Sequence, residues 1–455
     1  MTAHSARPTL TVLEKVGYGL GDTATNLVWR TLMVFLPIFY TDVFGLPAAA
    51  VGTLLLVCRY WDGITDIAMG LIADRTSTRW GKFRPWILWT ALPFGVMTVL
   101  TFTAVDLAPD AKLLYAYATY GGLVLVFTAS NIPYSALTGV LTADPVERTS
   151  LSGYRFVFAF LGGLITQGLN IPLVRLFGGG DEVEGYRWTM TLFAGLSVFL
   201  FLVTFFTTRE RVTPLPVKTA TLKTDVADLF RNRPWVILFF VGLLFVTLAT
   251  LKQGVTMYYF KYYVRDLPLA PAFMIAGLLA AMLGAALTSP LVRRLGGNRR
   301  VLDFAFGLAF LTSALLYLAG PEDIALIFVL STITEFATGP IVALFFAMLG
   351  DAADYSEWKS GRRATGLVFS AGTLSMKFGT GIAGALTGWV LTLFGYVANA
   401  QQSPETLTGI RLLISVLPAL AAIAAIGVLR FYPIDARMAA QIATDLKSRS
   451  SEVSR

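Results

Sequence analysis

Twelve apolar stretches of about 20 residues or more run through the 455-residue chain, and they restrict its fold more than any other feature. A helix of that length crosses the hydrocarbon core of a bilayer while satisfying its own backbone hydrogen bonds. The stretches cover residues 18–44, 48–73, 84–104, 112–138, 150–177 and 186–207, then 235–263, 270–292, 301–319, 323–349, 366–395 and 407–431. Charged residues make up 14% of the chain, against roughly 25% in soluble proteins. The 41 glycines and 20 prolines fit this reading, because both are commoner in membrane helices than in soluble ones.

The order of the stretches gives the expected domains: a six-helix bundle over 1–207, a central loop over 208–234, a second bundle over 235–432 and a tail over 433–455. Two six-helix halves are the pattern of parallel repeats in the major facilitator fold. The formal net charge of +8 invites a nucleic-acid partner, but its distribution argues against one. "DRTSTRWGKFR" (Asp74–Arg84) carries four basic residues, "RRLGGNRR" (Arg293–Arg300) four and "EWKSGRR" (Glu357–Arg363) three, while the intervening loops carry one or none. Basic residues mark cytoplasmic loops. The expectation is a multi-pass cell (inner) membrane protein, with both termini and the central segment in the cytoplasm. Acid-led loops after the fourth and tenth helices ("TADPVERTS" and "GDAADYSEW") either form ion pairs with this basic set or are ordinary solvated loop charge. That makes Asp74, Arg75, Arg79, Asp351 and Asp354 candidates for a cytoplasmic gate.

Cys58 is the one cysteine and His4 the one histidine, which excludes an internal disulfide, a cysteine metal cluster and histidine catalysis. No nucleophile-and-base set and no phosphate loop is present. The expectation is therefore a non-enzyme, without a resident cofactor and monomeric.

Function resides in the charges placed inside apolar helices: Asp22, Arg30, Arg59, Asp62, Asp66, Arg155, Lys252, Glu335 and Lys377. Each costs about 2.5–3.5 kcal/mol at a helix centre, so such residues face the bundle interior and mark a pathway. Asp22, Asn26 and Arg30 recur every fourth residue along one helix. Asp62 and Asp66 share a face of the next. Two carboxylates so close in a dry interior need a proton, a basic partner or a metal cation between them. With the Thr128 hydroxyl nearby, an all-oxygen set suits a hard cation.

The stretches "EKVGYGLGDTATN" (Glu14–Asn26), "FYTDVFGLPAAAVGT" (Phe39–Thr53), "RYWDGITDIAMGLIADRTSTRWGKFRPW" (Arg59–Trp86), "NIPYSAL" (Asn131–Leu137), "YRFVFA" (Tyr154–Ala159), "GDAADYSEW" (Gly350–Trp358) and "MKFGTG" (Met376–Gly381) resemble the glycoside–pentoside–hexuronide:cation symporters of the major facilitator superfamily. The resemblance extends from about Leu13 to Tyr432. It implies uptake of a sugar driven by sodium or protons. It also implies that Asp62 and Asp66 are cation-site carboxylates, Thr128 a hydroxyl ligand and Lys377 their neighbour, with Arg155 and Thr373 at the sugar. Where melibiose-transporting members have aspartates, this chain has Asn26 and Asn131. Their two tryptophan positions fall on Ser135 and Val342, and Thr65 replaces an asparagine beside the cation carboxylates. The pattern "GDTATN" is closer to xyloside and glucuronide branches, where Asp22 and Asn26 recur together, and Lys252 resembles a basic position there.

The expected cation site is Asp62, Asp66, Thr65, Thr128 and Lys377, with sodium at the two aspartates favoured over a proton. The expected substrate residues are Asp22, Asn26, Arg30, Asn131, Arg155, Lys252, Thr373 and Glu335, with Trp29 and Tyr134 as possible aromatic platforms. A uronide is one option for the sugar, since the intramembrane charges sum to +1. A neutral sugar is the favoured one, with Arg30 paired to Asp22 or Asp62 and Lys252 paired to Glu335. The alternatives on the same fold are a symporter for lysolipid or another amphiphile and a drug/proton antiporter. Neither calls for this set of amide and basic side chains beside paired carboxylates.

Overall fold

A computed structural model describes residues 10–142, 144–212, 229–360 and 365–453. Among these, twelve long helices carry the chain: α1 (Val12–Val34), α2 (Ala48–Arg75), α3 (Arg84–Thr101), α4 (Pro109–Leu141), α5 (Pro145–Gly178) and α6 (Glu182–Thr207), then α7 (Arg233–Tyr258), α8 (Ala270–Ala286), α9 (Asn298–Leu316), α10 (Ile324–Ser360), α11 (Thr365–Leu393) and α12 (Pro404–Leu429). Seven of them are long and apolar enough to read as spans by composition alone. Charges interrupt several of the others, including α1 and α2.

Helix starts follow local chemistry. Thr11 caps α1 in a reciprocal box with Glu14, while Asp144, Asp181, Asn232 and Ser403 cap α5, α6, α7 and α12 with side-chain oxygens. Each satisfies amide hydrogens that the first turn leaves unpaired.

Chain contacts divide the protein into two units: residues 1–46 with 61–216, and residues 47–60 with 217–455. In the first unit, α1 packs on α5 and α6, and α3 on α4 and α6. In the second, α7 packs on α11 and α12, and α10 on α8 and α9. The first half of α2 belongs with the second unit, where Gly52, Gly384 and Gly388 let its backbone approach α11 closely.

The halves repeat one another locally. After α1 the chain forms a wider π-helical turn at Phe39–Val43, and after α7 another at Tyr259–Tyr263, 220 positions later. Both turns close in the same way. Phe44 N donates to Phe39 O (2.8 Å) and Leu46 N to Tyr40 O (2.8 Å), matched by Val264 N to Tyr259 O (2.9 Å) and Asp266 N to Phe260 O (3.1 Å). A left-handed residue sits at the same place in each, Gly45 (φ 79°) and Arg265 (φ 60°). The second carries a side chain in a conformation that glycine adopts freely.

Two regions depart from expectation. "GDAADYSEW" was expected to be a loop, but α10 continues through it to Ser360, so Asp351 and Asp354 stand on a helix. Asn232 Nδ2 donates to Ala352 O (2.8 Å), and Ala352 and Ala353 are buried in the second unit's core, which offsets the cost of ordering this polar turn. The expected tail instead forms helix α13 (Ala436–Val453), docked by a bond from Trp358 Nε1 to Asp445 Oδ2 (2.8 Å) and by buried Ile442. Of the expected central loop, 213–228 lies outside the described residues, as do Gly361–Arg363 of the basic loop, the tail position His4 and Ala143.

Candidate functional site

The first unit assembles two polar clusters on helices that are otherwise apolar. The cation candidate comes from α2 and α4. Thr128 Oγ1 lies 2.9 Å from Asp62 Oδ1 and 3.1 Å from Asp66 Oδ1, so one hydroxyl bridges both carboxylates. Thr65 Oγ1 lies 3.4 Å from that hydroxyl and 3.1 Å from the Asp62 carbonyl. Asp62, Thr65 and Thr128 are buried, while Asp66 is partly open. Threonines in helices usually bond back to the preceding turn, as Thr119 does to Tyr115 O on α4 (2.8 Å). Thr128 instead reaches across to α2.

Proton counting sharpens this geometry. A hydroxyl has one hydrogen to give. If Thr128 donates it to one aspartate, its contact with the other brings a lone pair against a carboxylate oxygen. A cation among these oxygens, a proton on one carboxyl or a basic side chain beside them removes that repulsion. Asp62, Asp66, Thr65 and Thr128 thus supply the oxygen donors expected for a hard cation.

The second cluster joins α1, α4 and α5. Arg155 clasps Asp22 through Nε (2.7 Å) and Nη2 (3.3 Å), and Tyr134 donates its hydroxyl to Asp22 Oδ2 (2.9 Å). Tyr18 and Tyr134 each reach the other's backbone carbonyl, at 3.0 and 2.5 Å, and the Tyr18 hydroxyl also meets Thr138 Oγ1 (2.6 Å). The guanidinium lies over both rings, 5.0 Å from the Tyr134 centroid and 5.7 Å from that of Tyr18. Its side chain keeps 26% of its surface exposed.

Of the two partners expected for Arg30, Asp22 or Asp62, Asp22 takes Arg155 from another helix. Arg30 stays half-buried two turns along α1. Asn26 Nδ2 donates to Asp22 O (2.9 Å), leaving its amide oxygen for other partners, and Asn131 is half-buried one turn from Thr128. Of the two aromatic candidates, Trp29 stacks on Phe127 (4.3 Å between centroids), while Tyr134 is fully buried and acts through its hydroxyl. Tyr18 and Thr138 were not foreseen. The Tyr18–Asp22 spacing of one helical turn was the available signal.

In the second unit, Lys252 of α7 pairs with Glu335 of α10 (3.3 Å), as the neutral-sugar reading anticipated. Thr373 is exposed on α11 and donates to Ser370 O (2.7 Å), with half-buried Lys377 one turn further on.

Among the gate candidates, Asp74 at the end of α2 pairs with Lys82 (3.0 Å), Arg75 is the last residue of α2, and Arg79 lies over the Trp80 ring (4.7 Å). The same loop holds a carboxylate nest that the sequence did not suggest. Backbone amides of Lys82, Phe83 and Arg84 all donate to Glu210, at 2.8, 2.7 and 2.8 Å. Gly81, at φ 113°, leaves no room for a side chain beside that carboxylate. Arg84 completes the lock on Phe205 O (2.7 Å).

The family described as MFS/sugar transport protein matches residues 17–436. The chain belongs to it. Within the family, the chain is 41% identical to the putative glycoside/cation symporter YagG of Escherichia coli (strain K12), covering 97% of this chain and 96% of that one. It is 36% identical to the isoprimeverose transporter of Lactiplantibacillus pentosus, covering 96% and 92%. Among solved structures, a bacterial homologue of the human lysosomal transporter Spinster superposes with TM-score 0.64 at 14% identity, over 92% of this chain and 95% of that one. That likeness concerns the fold alone. The protein is thus a multi-pass major facilitator transporter.

Proposed function

We propose that this protein is a symporter that couples uptake of an uncharged glycoside to entry of a cation, with sodium as the preferred ion. The observation that carries the reading is the meeting of Asp62, Asp66, Thr128 and Thr65 oxygens inside an apolar helix pair, a donor set of the kind a hard cation takes. The glycoside names of the relatives supply the substrate class. Asn26, Asn131 and the outer edge of Arg155 then act as hydrogen-bonding partners for sugar hydroxyls. The sugar is uncharged because Arg155 and Lys252 already have carboxylate partners. Neither the lysolipid nor the drug-antiport alternative uses such donors.

In the cycle, cation binding at Asp62 and Asp66 makes the loaded carrier free to change its access. One charge moving down about 100 mV releases about 2.3 kcal/mol, equivalent to roughly a 50-fold sugar gradient. The orientation that goes with this, by the basic loops, has both termini in the cytoplasm.

The test is uptake into proteoliposomes of a panel of xylosides, glucuronides and galactosides, under an imposed sodium gradient or an imposed pH gradient. Sodium-driven accumulation of a neutral glycoside is expected. Accumulation driven by the pH gradient alone would replace sodium with the proton, and uptake restricted to glucuronides would overturn the neutral assignment.

A further inference from the structure

Helices α1, α5 and α6 of the first unit meet at a level whose polar groups take no part in either cluster described above. Their close approaches give the register. On α5, Gly162 abuts the Thr23 carbonyl of α1 and Thr166 Oγ1 donates to Leu27 O (3.2 Å). Asn170 and Thr31, one turn further along these two helices, therefore come level. On α6, which runs the other way, Gly185 abuts the Val174 carbonyl of α5, so Thr189 comes level with Asn170 as well. Ser197 Oγ and Thr204 Oγ1 of α6 donate to Ala24 O (2.9 Å) and Gly17 O (2.8 Å), which holds α6 against α1.

Asn170, Thr189 and Thr31 are 0% exposed, and Gln167, one turn before Asn170, is buried too. The hydroxyls beside them are already committed, since Thr31 Oγ1 (2.7 Å) and Thr166 Oγ1 both donate to Leu27 O. Thr189 does not bond back to the preceding turn, as Thr191 does to Arg187 O (2.7 Å). Among the described residues, both ends of the Asn170 amide, the Thr189 hydroxyl and the Gln167 amide oxygen are buried without a hydrogen-bond partner. Buried polar groups are almost always satisfied, because a dry one forfeits the bonds that water would give it.

We infer that the wedge between α1, α5 and α6 is a binding site for resident water, held by Asn170, Thr189 and Gln167. The mixture of donors and acceptors selects the ligand. Asn170 offers two N–H donors and a carbonyl oxygen, Thr189 a donor and lone pairs, and Gln167 an acceptor. An ion satisfies only the donors or only the acceptors, whereas water both gives and takes. A buried water makes about three such bonds. At this level the three helices are thus joined through a small exchangeable molecule in place of a direct side-chain bond. They can shift slightly during transport without leaving a polar group bare. The inference does not depend on which cation or sugar is carried.

The experiment is hydroxyl-radical footprinting of purified full-length protein by X-ray pulses, which split water where it sits and mark the side chains around it. Met190 and Phe193, next to Thr189 on α6, are 0% and 2% exposed. Met348 and Phe306, 1% and 0% exposed in the apolar core of the second unit, are the matched dry references. With water in the wedge, Met190 and Phe193 are expected to be modified about tenfold faster than Met348 and Phe306. In Asn170→Leu/Thr189→Val that excess should vanish, with the references unchanged. Met190 and Phe193 no faster than their references in wild type would overturn the inference. So would an excess that survives in the double variant. Should that variant not fold, the wild-type comparison, which needs no substitution, still shows whether the wedge is wet or dry.

Discussion

At the scale of single residues, Thr128 and Asp22 hold different kinds of charge in check. Thr128→Val keeps the shape but removes the hydroxyl that meets both Asp62 and Asp66. A hydrogen bond to a charged group contributes about 1.5–3 kcal/mol, so apparent cation affinity should fall by roughly 10- to 100-fold. Sodium dependence of sugar uptake measures this, and an unchanged half-saturating sodium concentration would refute it. For Asp22, removing either partner leaves the other charge without compensation in a mostly buried place. Asp22→Asn and Arg155→Gln should each lower sugar uptake at least tenfold, and the double variant should do no worse than either single one. Strictly additive losses would mean that the two residues act independently. Asp62 and Asp66 were legible in the sequence because an unexplained acid in an apolar helix is costly. The partner of Asp22 was not, because periodicity along α1 shows which residues share a face but not which neighbouring helix offers Arg155.

Among the elements, the loop between α2 and α3 shows how a motif can be visible while its mechanism is hidden. "RWGKFRPW" stood out in the sequence, yet the Glu210 carboxylate that organises its amides lies far along the chain, just past α6. The nest also sits at the start of α3, where a negative charge is favoured by the helix dipole. Glu210→Gln should lower the midpoint of thermal inactivation while leaving the half-saturating sodium concentration within about twofold. Gly81→Ala should do more damage, because it forces a side chain both into the nest and into a left-handed conformation. Equal midpoints for Glu210→Gln and wild type would count against the nest as a structural lock. The ends of α10 and α13 were misjudged for a related reason. Hydropathy marks where a helix leaves the apolar layer, whereas Asn232, Trp358 and Asp445 supply partners that order the polar turns beyond it.

For the whole molecule, the apolar stretches and their six-and-six grouping were sufficient to anticipate the twelve helices, since each crossing demands the same length of chain. The repeat was legible only in part. "FYTDV" and "YFKYY" look unalike, yet they form the same turn because the backbone bonds, and not the side chains, are what repeats. The distribution of basic residues predicts that single cysteines placed at Ser77 and Ser448 react with an impermeant reagent from the cytoplasmic side, and that one at Ser403 reacts from the opposite side. Reaction of all three from one side would refute that orientation.

In the proposed symport, a mobile cation held by Asp62 and Asp66 drives sugar accumulation. The most direct test counts labelled sodium and sugar entering the same proteoliposomes, for wild type and Asp62→Asn. Sodium entry should rise with added sugar in wild type, and Asp62→Asn should lose both sugar-dependent sodium entry and uphill sugar uptake while retaining downhill exchange. Uphill, sodium-dependent uptake that persists in Asp62→Asn would contradict it.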